Sequence, residues 1–251
     1  MTPPAVVLLH AFPLNSGMWD DQIETLGDRW RVIAPDLTGF GTAGARDDPG
    51  AYSVENYADD VADLLRREGI TRAVIGGLSL GGYIAFAFYR RHRDMVAALV
   101  LADTRAAGDA PEAAARRVSQ QRQVAESGTD ELIDNSLDNL LSDDTKQQRP
   151  EVVARARKLM EQSPPAGVIG ALDAMRRRPD ASDELASIDV PVLVIVGAAD
   201  RTSPPEVAAR MAEQIPNATL EVLPGAGHLS NLEVPEAFNR ALIRFLGTQL
   251  G

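Results

Sequence analysis

The segment Ala73-Val74-Ile75-Gly76-Gly77-Leu78-Ser79-Leu80-Gly81-Gly82 decides how the rest of the chain is read. It opens as an apolar run, tightens into Gly77-x-Ser79-x-Gly81, and leads into the helical pattern Gly82–Arg91. A serine between strand and helix, with a glycine two residues to either side, predicts a turn sharp enough to lift the hydroxyl above the strand end. The backbone at such a serine is strained, and strand and helix cross so closely that only small residues fit, hence Gly77 and Gly81. A glycine-rich turn before a helix can also cradle a phosphate, but the dinucleotide fingerprint and the Lys-Ser/Thr of a P-loop are both missing.

Outward from this turn, short apolar runs rich in β-branched residues recur at Ala5–Leu9, Arg31–Ala34, Ala97–Ala102, Val192–Val196 and Thr219–Val222. Continuous rather than alternating hydrophobicity marks strands covered on both faces. Helical patterns at Ser53–Arg67, Pro205–Gln214 and Pro235–Leu246 lie between them. Such alternation predicts an α/β fold with a doubly wound, mostly parallel sheet. The rhythm breaks from about Arg105 to Ile188, where helical segments follow one another at Pro111–Ser127, Asp130–Leu141, Pro150–Gln162 and Pro165–Arg177. Residues 1–104 and 189–251 are therefore expected to form the core, and 105–188 a helical cap inserted before the penultimate strand.

A serine hydroxyl becomes a useful nucleophile when an imidazole takes its proton, and the imidazole needs an acceptor on its other nitrogen. His228 ends the small-residue loop Leu223-Pro224-Gly225-Ala226-Gly227-His228, just after the last strand. Asp200 follows the strand Val192–Val196 at its C-terminal edge, where open α/β sheets build their sites. Its rival is Asp103, at the end of Leu99-Val100-Leu101-Ala102, whose other reading is a helix or turn cap opening the cap segment. Asp200 is preferred, because one helix and one strand lead from it to the His228 loop. An oxyanion would be met by the backbone N–H of Leu80 and of Phe12, since Pro13 has no N–H to offer. His10 reads as a brace for that loop. An apolar pocket is expected from Leu140, Leu172, Met175, Leu229 and Phe12, and the run Arg176-Arg177-Arg178 as a solvated helix end.

Composition narrows the functions. The 251 residues carry 25 basic and 36 acidic side chains, a formal net charge of −11. That balance works against nucleic acid or an anionic membrane as partner. The chain has no cysteine, which removes disulfides, thiolate metal sites and a cysteine nucleophile, and fits a cytoplasmic setting. His10, His92 and His228 are the only histidines, too scattered to suggest zinc, so neither metal nor cofactor is expected. The N-terminal stretch Met1–Pro4 lacks the basic region of a leader, and Ala5–Leu9 reads as a buried strand.

Four segments carry a family likeness: His10-Ala-Phe-Pro-Leu-Asn-Ser-Gly-Met-Trp19, Ala34-Pro-Asp-Leu-Thr-Gly-Phe-Gly41, Gly77–Gly82 and Pro224–His228. In these the chain resembles the α/β-hydrolase superfamily, and within it bacterial carboxylesterases and 3-oxoadipate enol-lactonase-like enzymes. The resemblance implies a Ser-Asp-His esterase or lactonase with a helical cap, acting on a small ester or lactone. It departs from the family in lacking the usual N-terminal hairpin, in His10-Ala11 where His-Gly is common, and in Thr38 where arginine often stands. Cofactor-free perhydrolysis by the same triad, and a ligand receptor on the same fold, are the alternatives. A haloalkane dehalogenase would need a carboxylate in place of Ser79.

Overall fold

The apolar runs become six strands: β1 (Ala5–Leu9), β2 (Val32–Ile33), β3 (Ala73–Leu78), β4 (Val96–Ala102), β5 (Val192–Gly197) and β6 (Ala218–Leu223). This is a computed structural model, and it describes residues 4–46 and 48–250; Met1–Pro3 of the N-terminal stretch lie outside them. The strands pair in the order β2-β1-β3-β4-β5-β6, and every pairing is parallel. Among the described residues no antiparallel strand precedes β1. All residues of β1, β3 and β5 are buried, as strands roofed on both faces must be. The chain leaves β1 toward β2 on one side, then crosses to β3 on the other. That reversal opens a crevice at the strand C-termini, where ligands of open α/β sheets bind, and β3 ends directly before Ser79.

Helices fill the gaps as read, with three additions. They are α1 (Asp20–Leu26), α2 (Val54–Arg67), α3 (Leu80–Arg91), α4 (Pro111–Ser127), α5 (Asp130–Leu140), α6 (Asp143–Gln148), α7 (Pro150–Glu161), α8 (Pro165–Arg177), α9 (Pro205–Gln214), α10 (Ser230–Glu233) and α11 (Pro235–Leu250). The unread ones, α1, α6 and α10, are 7, 6 and 4 residues long. None is long enough to show apolar periodicity. The polar α6 is started by Ser142, whose side chain accepts from the Thr145 amide. Helices α4 to α8 all lie between β4 and β5.

The period-2 alternation of side chains divides the interior into two layers. Val7, Leu9, Ile75, Leu99 and Leu101 face one way and pack with Tyr57, Val61 and Leu65 of α2 and Ile84 and Phe88 of α3. Val6, Leu8, Val74, Val100 and Leu193 face the other and meet Trp19, Leu26 of α1, and Phe238, Leu242 and Phe245 of α11. Each of these buried large side chains is worth roughly 1.5–3 kcal/mol relative to exposure. No helix is long and apolar enough to cross a membrane among the described residues.

The β3–α3 turn leaves no room for a side chain at either of its flanking glycines. A Cβ on Gly77 would lie 2.1 Å from the backbone carbonyl of Gly81, and one on Gly81 would lie 2.1 Å from the Leu9 carbonyl oxygen. Backbone atoms cannot yield as a flexible side chain would. Gly81→Ala is therefore expected to cost more than about 3 kcal/mol of stability by urea denaturation, and a variant within about 1 kcal/mol of the parent would show that the crossing can relax.

Candidate active site

Ser79 stands between β3 and α3 with φ of +54°, a backbone region that a non-glycine residue enters at a cost. The turn is tied down from three sides. The Ser79 amide donates to the Ala102 carbonyl at 3.0 Å, its carbonyl accepts from the Gly82 amide at 2.9 Å, and it also accepts from the Thr104 hydroxyl at 2.9 Å. The serine is 9% exposed and lines a cavity of about 480 Å3 together with His228.

Asp200 lies in the turn after β5. Its Oδ1 accepts from the amides of Thr202 and Ser203 at 2.7 and 2.9 Å, which leaves Oδ2 facing His228 Nδ1 at 2.8 Å. With the carboxylate as acceptor, Nδ1 carries the proton and Nε2 presents a lone pair. That Nε2 is buried and has no hydrogen-bond partner among the described residues. Asp200 and His228 are thus in contact, and Ser79 lines one cavity with His228, with the Ser79–Nε2 bond unformed. Hydrogen bonds of this kind are often long until a substrate is bound.

The loop carrying His228 is held by groups that the sequence reading overlooked. The His228 amide donates to the Leu140 carbonyl at 2.8 Å. Glu233, fully buried, accepts from the amides of Gly227 at 2.9 Å and Leu229 at 3.3 Å through one oxygen, and from the Ser142 amide at 2.9 Å through the other. The available signal was an acid six residues beyond the Gly225-Ala226-Gly227 loop, whose amides have no strand to join.

Asp103 corrects an expectation. It is not a cap at the mouth of the helical segment but a fully buried residue with φ of +45°. Its Oδ1 accepts from the Gly197 amide at 2.8 Å, and its Oδ2 is bonded to the Ser230 hydroxyl. Asp103 therefore ties β4 to the end of β5 and to the start of α10. Removal from water, reinforced by the neighbouring Asp200 and Glu233 carboxylates, raises its acid well above the usual range despite the Ser230 and Gly197 donors.

On the oxyanion side, Leu80 is the first residue of α3, and Phe12 lines the cavity. Among the described residues neither amide is engaged by another backbone or side-chain acceptor. His10 is fully buried beneath this loop. Its Nδ1 is 3.0 Å from the Ala11 carbonyl oxygen, and its Nε2 is 3.0 Å from the Leu37 amide, which donates to it. Only the neutral Nδ1–H tautomer serves both. Burial pushes its pKa down to about 4, against the smaller opposing effects of the Ala11 carbonyl and Asp36.

The cavity is more polar than expected. Phe12, Leu140 and Met175 line it, but so do Arg105, Arg116, Arg117, Asn135, Asn139 and Arg201. Leu172 and Leu229 do not: both are fully buried, Leu172 in the layer with α2 and α3 and Leu229 in the layer with α11. A helical apolar stripe buries most of its members, so spacing alone could not separate lining from core. Arg176 and Arg177 pair with Asp173 at 2.6 Å each at a helix end. Arg178 departs from the solvated reading: its guanidinium is buried against Asp109 at 2.7 Å and lies 3.9 Å from the Tyr83 ring centre.

A strained serine turn at the switch point, an imidazole backed by a carboxylate, and two amides without acceptors among the described residues thus lie together at the strand C-termini of an open parallel sheet. The family described as alpha/beta hydrolase fold matches residues 4–235, and the chain belongs to it. An esterase from Thermogutta terrifontis, in a malate-bound structure, is 41% identical with a TM-score of 0.96, over 100% of this chain and 92% of that one. The enol-lactonase from Burkholderia xenovorans LB400 is 29% identical with a TM-score of 0.90, over 98% of this chain and 92% of its own. The 3-oxoadipate enol-lactonase 2 of Acinetobacter baylyi is 29% identical over 243 residues, 95% of this chain and 87% of the relative.

Two outcomes follow from the buried groups. His10 stays neutral in the fold while an unfolded histidine takes up a proton near pH 6.5, so its stabilisation is present above pH 6.5 and is lost as pH falls toward 4. Between pH 7 and 5 that loss is about 2 kcal/mol; His10→Asn should flatten the urea-measured stability profile by this amount, and an unchanged slope would assign it elsewhere. Asp103→Asn keeps an acceptor for Gly197 and meets the Ser230 oxygen with an amide N–H in place of receiving from its hydroxyl, and should cost less than about 1 kcal/mol, whereas Asp103→Leu should cost more than about 2 kcal/mol. Equal losses in the two variants would mean that the carboxyl is ionised in the fold.

Proposed function

We propose that the protein is a serine hydrolase that cleaves small carboxylic esters or lactones through an acyl-Ser79 intermediate. The observation that carries this reading is the Asp200–His228 pair, whose partnerless Nε2 shares one cavity wall with Ser79. His228 Nε2 takes the Ser79 proton as Oγ attacks the acyl carbon. The carbonyl oxygen becomes an oxyanion facing the Phe12 and Leu80 amides. His228 then gives its proton to the departing alkoxide, and the ester C–O bond breaks. A water, deprotonated by the same nitrogen, attacks the acyl carbon; the acyl C–Oγ bond then breaks, His228 returns the proton to Ser79 Oγ, and the acid is released. Asp200 holds the tautomer and stabilises the imidazolium that forms. Helices α4 to α8 serve as a cap that shapes the acyl pocket. The named activities of the Thermogutta esterase and the two enol-lactonases support this substrate class.

The test is turnover of p-nitrophenyl acetate beside labelling by a fluorophosphonate. Ser79→Ala should lose the label and about 10⁴–10⁶-fold in kcat, and Asp200→Asn about 10⁴-fold in kcat without loss of fold. A Ser79→Ala enzyme retaining a tenth of parental activity would remove Ser79 from the mechanism.

A further inference from the structure

The turn Gln162-Ser163-Pro164 joins α7 to α8 at the surface, and one of its side chains is turned inward. Gln162 and Pro164 are exposed, whereas Ser163 is only 3% exposed. Its hydroxyl does none of the work usual for a serine just before a helix, since α8 starts without a side-chain cap. It reaches instead to the loop that follows β1, where Ser163 Oγ donates to the Pro13 carbonyl at 2.7 Å, across 150 residues of sequence. Asn15 of the same loop returns the contact. Its Nδ2 donates to the Leu159 carbonyl at 3.1 Å and to Gln162 Oε1 at 2.8 Å. The end of α7 thus grips this loop at two points.

The effect of the grip on Pro13 follows from the planarity of the peptide bond. The C=O and N–H of one trans peptide point in opposite directions, so fixing one end aims the other. Ser163 fixes the Pro13 oxygen, and the N–H of that same peptide belongs to Leu14, which donates to the Ala11 carbonyl at 2.9 Å. The Ala11 oxygen in turn shares its peptide with the Phe12 N–H, which has no acceptor among the described residues. Two successive peptide planes therefore lead from a side chain on the α7–α8 turn to the direction of the Phe12 amide. The second plane has further holds, because His10 Nδ1 lies 3.0 Å from the Ala11 oxygen and the Ala11 amide donates to Met18 Sδ at 3.2 Å. The first has one: among the described residues Ser163 is the sole donor to the Pro13 oxygen. A buried carbonyl deprived of its donor turns toward another, and the Leu14 N–H turns with it.

Resting on the serine-hydrolase reading above, in which the Phe12 amide meets the oxyanion, we infer that Ser163 is a positioning residue for that amide, acting through its hydrogen bond to Pro13. Ser163 is not part of the cavity lining, so it touches no substrate and its influence has to pass through the loop. An oxyanion donor is effective when it is aimed at the point where charge develops, not at the ground-state carbonyl. A swing of the Pro13–Leu14 peptide is therefore felt in turnover and not in substrate binding. A serine that only satisfied a buried carbonyl would be felt in stability alone.

Three readouts on p-nitrophenyl acetate, with active sites titrated so that only folded enzyme counts, test this. Ser163→Ala should lower kcat by about 10–50-fold, short of the roughly 10²–10³-fold that outright loss of a donor costs, with KM within about twofold of the parent. Trifluoroacetone adds to Ser79 Oγ, its carbonyl oxygen becoming an oxyanion while His228 takes the proton. Its inhibition constant should rise by the same factor as kcat/KM falls. The pH at which kcat/KM half-falls on the acid side reports the imidazole and should not move, whereas a general shift of the helices would disturb it through the tie between Leu140 and His228. Ser163→Cys, close in shape and a weaker donor, should lie between the parent and Ser163→Ala, and it carries the test alone if the alanine variant does not fold. Arg157→Gln, which breaks an exposed ion pair of α7 with Asp134, should leave all three readouts unchanged. A kcat within about twofold of the parent in the folded Ser163 variants, a loss confined to KM, or a fall in kcat without weaker trifluoroacetone inhibition would overturn the inference. If the parent turns over p-nitrophenyl acetate and Ser79 is labelled, such a failure falls on the inference alone; if neither occurs, the hydrolase reading falls with it.

Discussion

Ser79 keeps its φ of +54° because the backbone around it runs closer than any side chain permits. Gly81 passes over the Leu9 carbonyl, and Gly77 passes under the Gly81 carbonyl, each without room for a single added carbon. That clearance lets α3 start immediately at the end of β3. Ser79 then lies over the switch point between β1 and β3, and the Leu80 amide faces outward with no helical acceptor of its own. The remaining parts are arranged around this one crossing. Ala102 at the end of β4 and Thr104 just beyond it hold the turn from the side, and the His10 imidazole holds the loop opposite it.

A second organising element is the group of buried acids behind the imidazole. Asp200 orients His228, Asp103 joins the ends of β4 and β5 to α10, and Glu233 gathers the amides that flank the histidine. Three carboxyl groups so near one another cannot all carry charge cheaply. The fold resolves this by giving them different partners. Asp200 receives two amides and an imidazole N–H, whereas Asp103 has a hydroxyl and one amide and is driven toward its neutral form. For Asp103, removal from water beside the Asp200 carboxylate outweighs the two donors it receives.

Sequence alone disclosed the parts whose chemistry is local. The strands of the sheet were visible as continuous apolar runs, the turn as glycines at fixed offsets from Ser79, and the α4, α8 and α9 boundaries as proline starts. The pairing of Asp200 with His228 could be read because both follow adjacent strands. What stayed hidden depends on distant packing. Asp103 and Asp200 occupy like positions after neighbouring strands and are both buried, and only their partners tell them apart. Leu172 and Leu140 share a helical apolar pattern, but one faces the core and the other the cavity. The arginine run 176–178 drew attention by being contiguous, while Arg105, Arg116, Arg117 and Arg201 gather only after folding.

The hydrogen bond from the His228 amide to the Leu140 carbonyl, with the Glu233 bridge to Ser142, makes the end of α5 and the His228 loop one mechanical unit. The helices beside the cavity are thereby interlocked with the imidazole that Asp200 orients. Lifting the C-terminal end of α5 would pull on the peptide that aims the imidazole and uncouple it from Asp200. Helices α4 and α8 also contribute side chains to the cavity lining, and among the described residues neither makes a backbone hydrogen bond to His228, so movement in them would leave the Asp200–His228 contact in place.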